Sequence, residues 1–338
     1  MPQVPELLQR TDGHCLLYRG RVHSLHGESE SGKSWVAVAE AATQLTAGAQ
    51  VLMLDFESDE ATTVGRLLRL GVPSEAIAAC FDYRRPECDP AALTDEQQLW
   101  QDLLGTRYAL AIIDGVTEAL SVYGTASKDN DEVTRWIRST PRRLAATTGA
   151  VVVLVDHVTK DADTRGRFAI GGQAKMAALD GAAYVVEVLD PLGVGLLGRI
   201  SLRVAKDRPG NVRPHAGAWR KTDRIQEAAV VVIDSRDHGR TTVTIDTPRS
   251  EVATDHGTAS GSDRRPTALM AQVSDALENG GAPMSRKGIE GAVPGRAQYV
   301  RQAIDTLLAG GHLAADGPTL GGHPSLRLVK PYRQDPTE

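Results

Sequence analysis

The chain has 338 residues, 41% of them hydrophobic and 24% charged, ordinary globular proportions that exclude disorder throughout. A net charge of -5 excludes a globally basic nucleic-acid binder, so any contact with DNA must come from local patches. No apolar run reaches the roughly 20 residues needed to cross a bilayer, the N-terminus MPQVPELLQRTDGH lacks a secretory pattern, and three cysteines (Cys15, Cys80, Cys88) without C-x-x-C spacing fit a reduced, cytoplasmic setting.

Short apolar runs alternate with helical patterns along the first two-thirds, the habit of an α/β fold with a mostly parallel sheet. Strands are expected at Arg21–His26, Gln50–Asp55, Tyr108–Ile113 and Ala150–Asp156, dense in aliphatic residues as befits strands covered on both faces. Helices are expected between them at Ser34–Leu45, Asp59–Leu70, Thr94–Leu104 and Asp131–Thr147. Four later runs, Ala182–Leu189, Leu197–Val204, Ala228–Ile233 and Thr241–Asp246, leave little room for helices and read as an antiparallel extension. Residues 1–246 are thus expected as one domain. Thr247–Asp263, rich in Ser, Thr, Gly and Asp, reads as a flexible linker, and residues 264–338 as a small second domain.

Gly27 to Ser34 spell G-x-x-x-x-G-K-S between a strand and a helix. In such a loop small residues let backbone N–H groups converge on phosphate oxygens at a helix N-terminus. Gly27, Glu28, Ser29, Glu30, Ser31, Gly32, Lys33 and Ser34 would form the cradle, with Lys33 on the outer phosphates and Ser34 on Mg2+. Asp114, ending the apolar strand YALAIID, is the candidate second metal residue; its plain alternative is a turn cap. The residue after it is Gly115, so the carboxylate base that often follows this Asp is missing. Glu57, in VLMLDFESDE, ends another strand from which a carboxylate can direct water at the γ-phosphate; its plain alternative is to favour a helix start with Asp59 and Glu60.

With these residues placed, the chain resembles the RecA-fold hexameric ATPases, especially RepA-like plasmid helicases and DnaB-type replicative helicases. The resemblance spans about residues 18–246 and implies a RecA-like P-loop core using ATP and Mg2+. It assigns His157, ending VVVLVDH, to sensing the γ-phosphate, and Lys206 and Arg208, in RVAKDRPGNVR, to a neighbour's nucleotide. Arg66 matches an Arg directed at the nucleotide. A core histidine and exposed strand-end charges are the plain alternatives, and Arg165 or Arg167 could replace the finger. The loop after His157, with Lys160, Arg165, Arg167 and Lys175, would line a ring channel for single-stranded DNA.

Arg264–Lys330 reads as three helices and a β-hairpin, an order that resembles a winged helix-turn-helix. Its candidate DNA contacts are Arg286, Lys287, Arg296, Arg301 and Arg327, although its many acids also suit docking to protein. The resemblance implies a homo-oligomeric, hexameric helicase or translocase acting on single-stranded DNA in plasmid, phage or mobile-element replication. A replication initiator or primase would be a further partner, and no membrane is involved. Rival readings are a RecA/RadA-like recombination filament and an ATP-gated DNA-binding regulator.

Overall fold

The apolar run after Arg21 forms strand β1 (Val22–Gly27), every residue of it buried. The computed structural model describes residues 3–87, 94–126, 129–157, 172–220, 225–249, 267–293, 297–316 and 325–333. The chain divides into two compact units, Met1–Val252 and Ala253–Glu338. From β1 the first unit continues through α1 (Lys33–Thr46), β2 (Val51–Asp55), α2 (Glu60–Arg69), α3 (Ser74–Cys80), β3 (Phe81–Arg84) and α4 (Thr94–Gly105). Next come β4 (Leu110–Asp114), α5 (Val116–Val122), α6 (Asn130–Ser139), α7 (Pro141–Thr148) and β5 (Val151–His157). Then follow α8 (Gly172–Ala178), β6 (Ala182–Asp190), β7 (Leu197–Asp207), β8 (Gln226–Asp234) and β9 (Thr242–Asp246).

These strands make one sheet in the order β3-β2-β4-β5-β1-β6-β7-β8-β9. All neighbours from β3 through β6 are parallel. Pairing turns antiparallel from β6 to β9. The antiparallel extension therefore begins one strand later than expected, because β6 pairs parallel to β1 with Ala183 beside Ser24. The period-two side-chain alternation explains the unbroken apolar runs. Met53, Ile112 and Val153 enter one core, while Leu52, Ile113 and Leu154 enter the core on the opposite face.

Two expectations about helices need correction. The pattern across Asp131–Thr147 breaks into α6 and α7 at Thr140, because Pro141 lacks an N–H and pushes the preceding residue off helical geometry (Thr140 φ -114°, ψ -81°). Pro141 then occupies the first turn of α7, where a missing donor costs nothing. The stretch after His157, expected as loop through Lys175, is helical from Gly172. Strand β3 had no sequence expectation at all; three of its four residues are half-buried and Arg84 is exposed, at the sheet edge, where alternation is weak.

The second unit contains α9 (Thr267–Gly280), α10 (Arg286–Ala292), α11 (Ala297–Ala309) and an antiparallel ribbon of β10 (Leu313–Asp316) and β11 (Ser325–Leu328). Val273, Leu277, Val300, Ile304 and Leu307 form its own core together with Ile289. Between the units, Arg249 is still held to Glu227 through its N–H and guanidinium, so at least Thr247–Arg249 belong to the first unit's surface. Residues 250–266, most of the expected linker, lie outside the described residues.

Candidate nucleotide site

Parallel strands end at one sheet edge, and that edge gathers the candidate residues. Register sets Gly27 beside His157 and Asp55 beside Asp114, so four strands present their carboxyl ends in a row. The loop from Glu28 leads into α1 through Gly32, whose φ of +87° is favoured by glycine. A Cβ there would also stand 2.8 Å from Leu192 Cδ1, in the β6–β7 turn. No side chain caps the start of α1, which leaves its first-turn amides and positive end open to an anion. Ser31 Oγ is buried without a hydrogen-bond partner among the described residues.

Lys33 Nζ donates to the carbonyls of Gly27, at 3.2 Å, and Glu28, so its charge stays curled over the loop. Burial pulls its pKa down, against the pull of Glu57 and Asp114. Asp114 is buried, and its pKa rises to about 6 through burial, with the neighbouring Asp55 and Glu57 adding to the rise. The nearby Ser34 hydroxyl works against that rise, and Asp114 Oδ1 has no hydrogen-bond partner among the described residues. A carboxylate oxygen left unsatisfied near a hydroxyl is hard oxygen chemistry that fits Mg2+, which Ser34 and Asp114 would hold.

Glu57 follows β2 and turns toward β5, where His157 Nε2 lies 2.6 Å from Glu57 Oε1. Gly115 makes that position possible. Its φ is +87°, and a Cβ would lie 2.7 Å from Glu57 Cγ and 3.3 Å from Phe56 Cβ. The carboxylate from β2 and a side chain at position 115 cannot share the space. The missing Glu after Asp114 is thus the steric counterpart of Glu57.

A cleft of about 650 Å³ connects the loop to Trp35, Glu57, Arg66 and His157 on one side and the tips of the β6–β7 and β8–β9 turns on the other. The Arg66 guanidinium lies over the Trp35 ring, 5.5 Å from its centroid. Trp35 and Leu192 escaped the sequence reading. Trp35 had a signal in its position next to Ser34, whereas Leu192 is brought in from more than 150 residues away, a distance no local pattern reports.

Lys206 and Arg208 lie back along the strands from the loop. Lys206 pairs with Ala183 at the start of β6, while Val186, further along β6, pairs with Gly27. Lys206 Nζ donates to the carbonyls of Met176, Ala177 and Leu179 at the C-terminal end of α8, and burial lowers its pKa. Arg208 is exposed.

Among the expected DNA contacts, Lys175 is a correction. It is buried on α8 and its Nζ donates to Asp156 Oδ2 at 2.7 Å, so it serves the core of the domain and presents no charge to a strand of DNA. Lys160, Arg165, Arg167 and Arg296 lie outside the described residues. Arg286 pairs with Asp305, Arg301 with Glu290 and Arg327 with Asp316, whereas Lys287 is exposed. Among the described residues, no helix is long and apolar enough to cross a membrane.

No curated protein matches the chain. Residues 5–163, a little under half of the chain, match a family model described as an AAA domain, and this stretch, which carries the loop, Glu57, Asp114 and His157, is similar to AAA-type P-loop ATPases.

Proposed function

We propose that the chain is the subunit of a ring-forming, ATP-driven DNA helicase or translocase that moves on single-stranded DNA during replication of a plasmid, phage or mobile element. The observation that carries this reading is that Lys206 and Arg208 lie back along the strands from the chain's own P-loop, Lys206 beside Ala183 at the level of Ser24 and Arg208 beyond the end of β7. Arg208 is exposed there, and a neighbour's nucleotide is the site that such a cation suits, whereas Lys206 would have to leave the α8 carbonyls to join it. Lys33 and the amides at the start of α1 hold the triphosphate. Ser34 and Asp114 hold Mg2+, whose chemistry is to neutralise charge on the β- and γ-phosphates. Glu57 accepts the proton of the attacking water, and His157, within 2.6 Å of it, ties the base to the strand end beside the cradle.

The measurement that tests the motor reading is steady-state ATP hydrolysis with and without single-stranded DNA, for the wild type and Glu57→Gln. Stimulation by DNA, and a loss of at least about 100-fold in Glu57→Gln with nucleotide binding retained, is the expected result. Wild-type turnover by Glu57→Gln would remove the base, and turnover indifferent to DNA would remove the motor.

A second reading of the C-terminal unit has its own support. Arg286, Arg301, Arg327 and Arg333 all face carboxylates, which leaves little unopposed positive charge among the described residues for phosphate contact. Docking to a partner protein such as an initiator or primase suits that surface, and a tail-only fragment failing to bind duplex or single-stranded DNA at low salt would favour it.

A further inference from the structure

Two carboxylates stand side by side at the sheet edge, and they are satisfied in opposite ways. Asp114 keeps one oxygen without a partner among the described residues. Asp55, its register partner on β2, is fully buried, and both its oxygens accept hydrogen bonds. Asp55 Oδ1 accepts from the backbone N–H of Glu57 at 3.0 Å and of Ser58 at 2.8 Å. Asp55 Oδ2 accepts from the Tyr83 hydroxyl at 3.1 Å, delivered by edge strand β3.

We infer that Asp55 is a positioning residue that holds Glu57 in its place at the cleft, with Tyr83 fixing the orientation of the Asp55 carboxylate. The inference rests on Glu57 as the base. The segment between β2 and α2 lies outside both elements, since β2 ends at Asp55 and α2 begins only after the Asp59 cap. Two charge-assisted bonds to consecutive amides close that segment into a turn around Asp55, and such bonds are stronger than neutral ones. A buried carboxylate is costly unless donors surround it, and three donors do so here, two of them in the turn that carries the base. The backbone also binds the turn from the other side, because Phe56 N–H donates to the Asp114 carbonyl at 2.9 Å. The base is thereby suspended between the two acidic strand ends. A shift of the turn by a fraction of an ångström would misdirect the water, which is where orientation controls rate. Asp55 is accordingly separate from the metal pair: its oxygens are occupied by the turn and by Tyr83.

The test compares Asp55→Ala, Asp55→Asn, Tyr83→Phe, Glu57→Gln and the double variant Asp55→Ala/Glu57→Gln by kcat, KM, affinity for a fluorescent ATP analogue and the Mg2+ concentration for half-maximal rate. Asp55→Ala is expected to lose about 10- to 100-fold in kcat, with KM and nucleotide affinity within about 3-fold. Asp55→Asn retains an oxygen that accepts from both amides and should stay within about 5-fold, and Tyr83→Phe within about 3-fold. The double variant should be no slower than Glu57→Gln alone, since residues acting as one unit are not additive. Half-saturation by Mg2+ should be unchanged in every Asp55 variant. Wild-type turnover by Asp55→Ala, a double variant slower than Glu57→Gln, or a raised Mg2+ requirement in Asp55→Asn would each overturn the inference. If Asp55→Ala fails to fold, Asp55→Asn decides: a rate near wild type with unchanged Mg2+ dependence supports positioning, and a collapse to the Glu57→Gln rate overturns it. Wild-type turnover by Glu57→Gln is a different result, and would fell the base assignment first.

Discussion

Gly115 constrains the site by what it lacks. The positive φ and the 2.7 Å approach of Glu57 Cγ mean that alanine would both strain the backbone and push the base aside. Gly115→Ala should cost about 1–3 kcal/mol of stability, read as a lower midpoint of thermal unfolding. Its turnover should fall further than that loss of folded protein accounts for. A variant with normal turnover would mean that Glu57 does not need its present place. The same residue marks what could be read from sequence and what could not. Lys33, Ser34, Asp114 and Glu57 were legible because each sits at the end of a strand or in a loop whose spacing is local. That Gly115 and Glu57 exclude each other was not legible, since contact between the turns after β2 and β4 depends on their pairing in register.

Helix α1 joins the nucleotide loop to the N-terminal segment through Glu40. Its carboxylate accepts from Leu8 N–H at 3.0 Å and from Gln44 Nε2 at 2.7 Å, and Leu8 holds a φ of +59°, unusual for a side chain of its size. Burial raises the pKa of Glu40 to about 7, from an ordinary value of 4.5, despite these donors. Between those values the folded protein keeps a proton that the unfolded chain releases. Stability therefore falls as pH rises from 4.5 toward 7, and the loss, on the order of 3 kcal/mol, is complete above 7. Glu40→Gln should flatten this dependence and gain stability at pH 8, followed as the thermal midpoint at pH 5 and pH 8.

Helix α8 poses the reverse case, a charge expected on the surface that the fold takes inside. Lys175 and Asp156 are both nearly inaccessible, at 6% and 3% side-chain exposure, and lie 2.7 Å apart. Removing one partner leaves the other buried and unpaired, so Lys175→Ala should lose about 3–5 kcal/mol of stability. Its affinity for single-stranded DNA, measured on the protein that remains folded, should be unchanged. A salt-sensitive loss of DNA affinity without loss of stability would return Lys175 to the channel. Sequence could not foresee the pair, because a lysine in a Gly-rich polar stretch gives no sign of a carboxylate 19 positions earlier on a strand. Strand β3 was missed for a related reason: Phe81–Arg84 is short and largely half-buried, and its Tyr83 gains meaning only beside Asp55.

On the scale of the whole molecule, the chain carries the P-loop at the carboxyl ends of its parallel strands, and Lys206 and Arg208 lie back toward their other ends, where the proposed function assigns them to a neighbour. In the ring proposed above, a catalytic unit is the seam between two copies, and its rate is a property of neighbours. Mutants defective on opposite sides of that seam should rescue each other. Lys33→Ala and Arg208→Ala should each be inactive alone, yet an equal mixture, assembled at random, restores one intact seam in about four and about a quarter of the wild-type rate. A mixture as inactive as its components would mean that each chain completes its own site. Dilution should act in the same direction, lowering turnover per chain once copies separate, so that enzyme concentration becomes as much a part of the active site as Lys33.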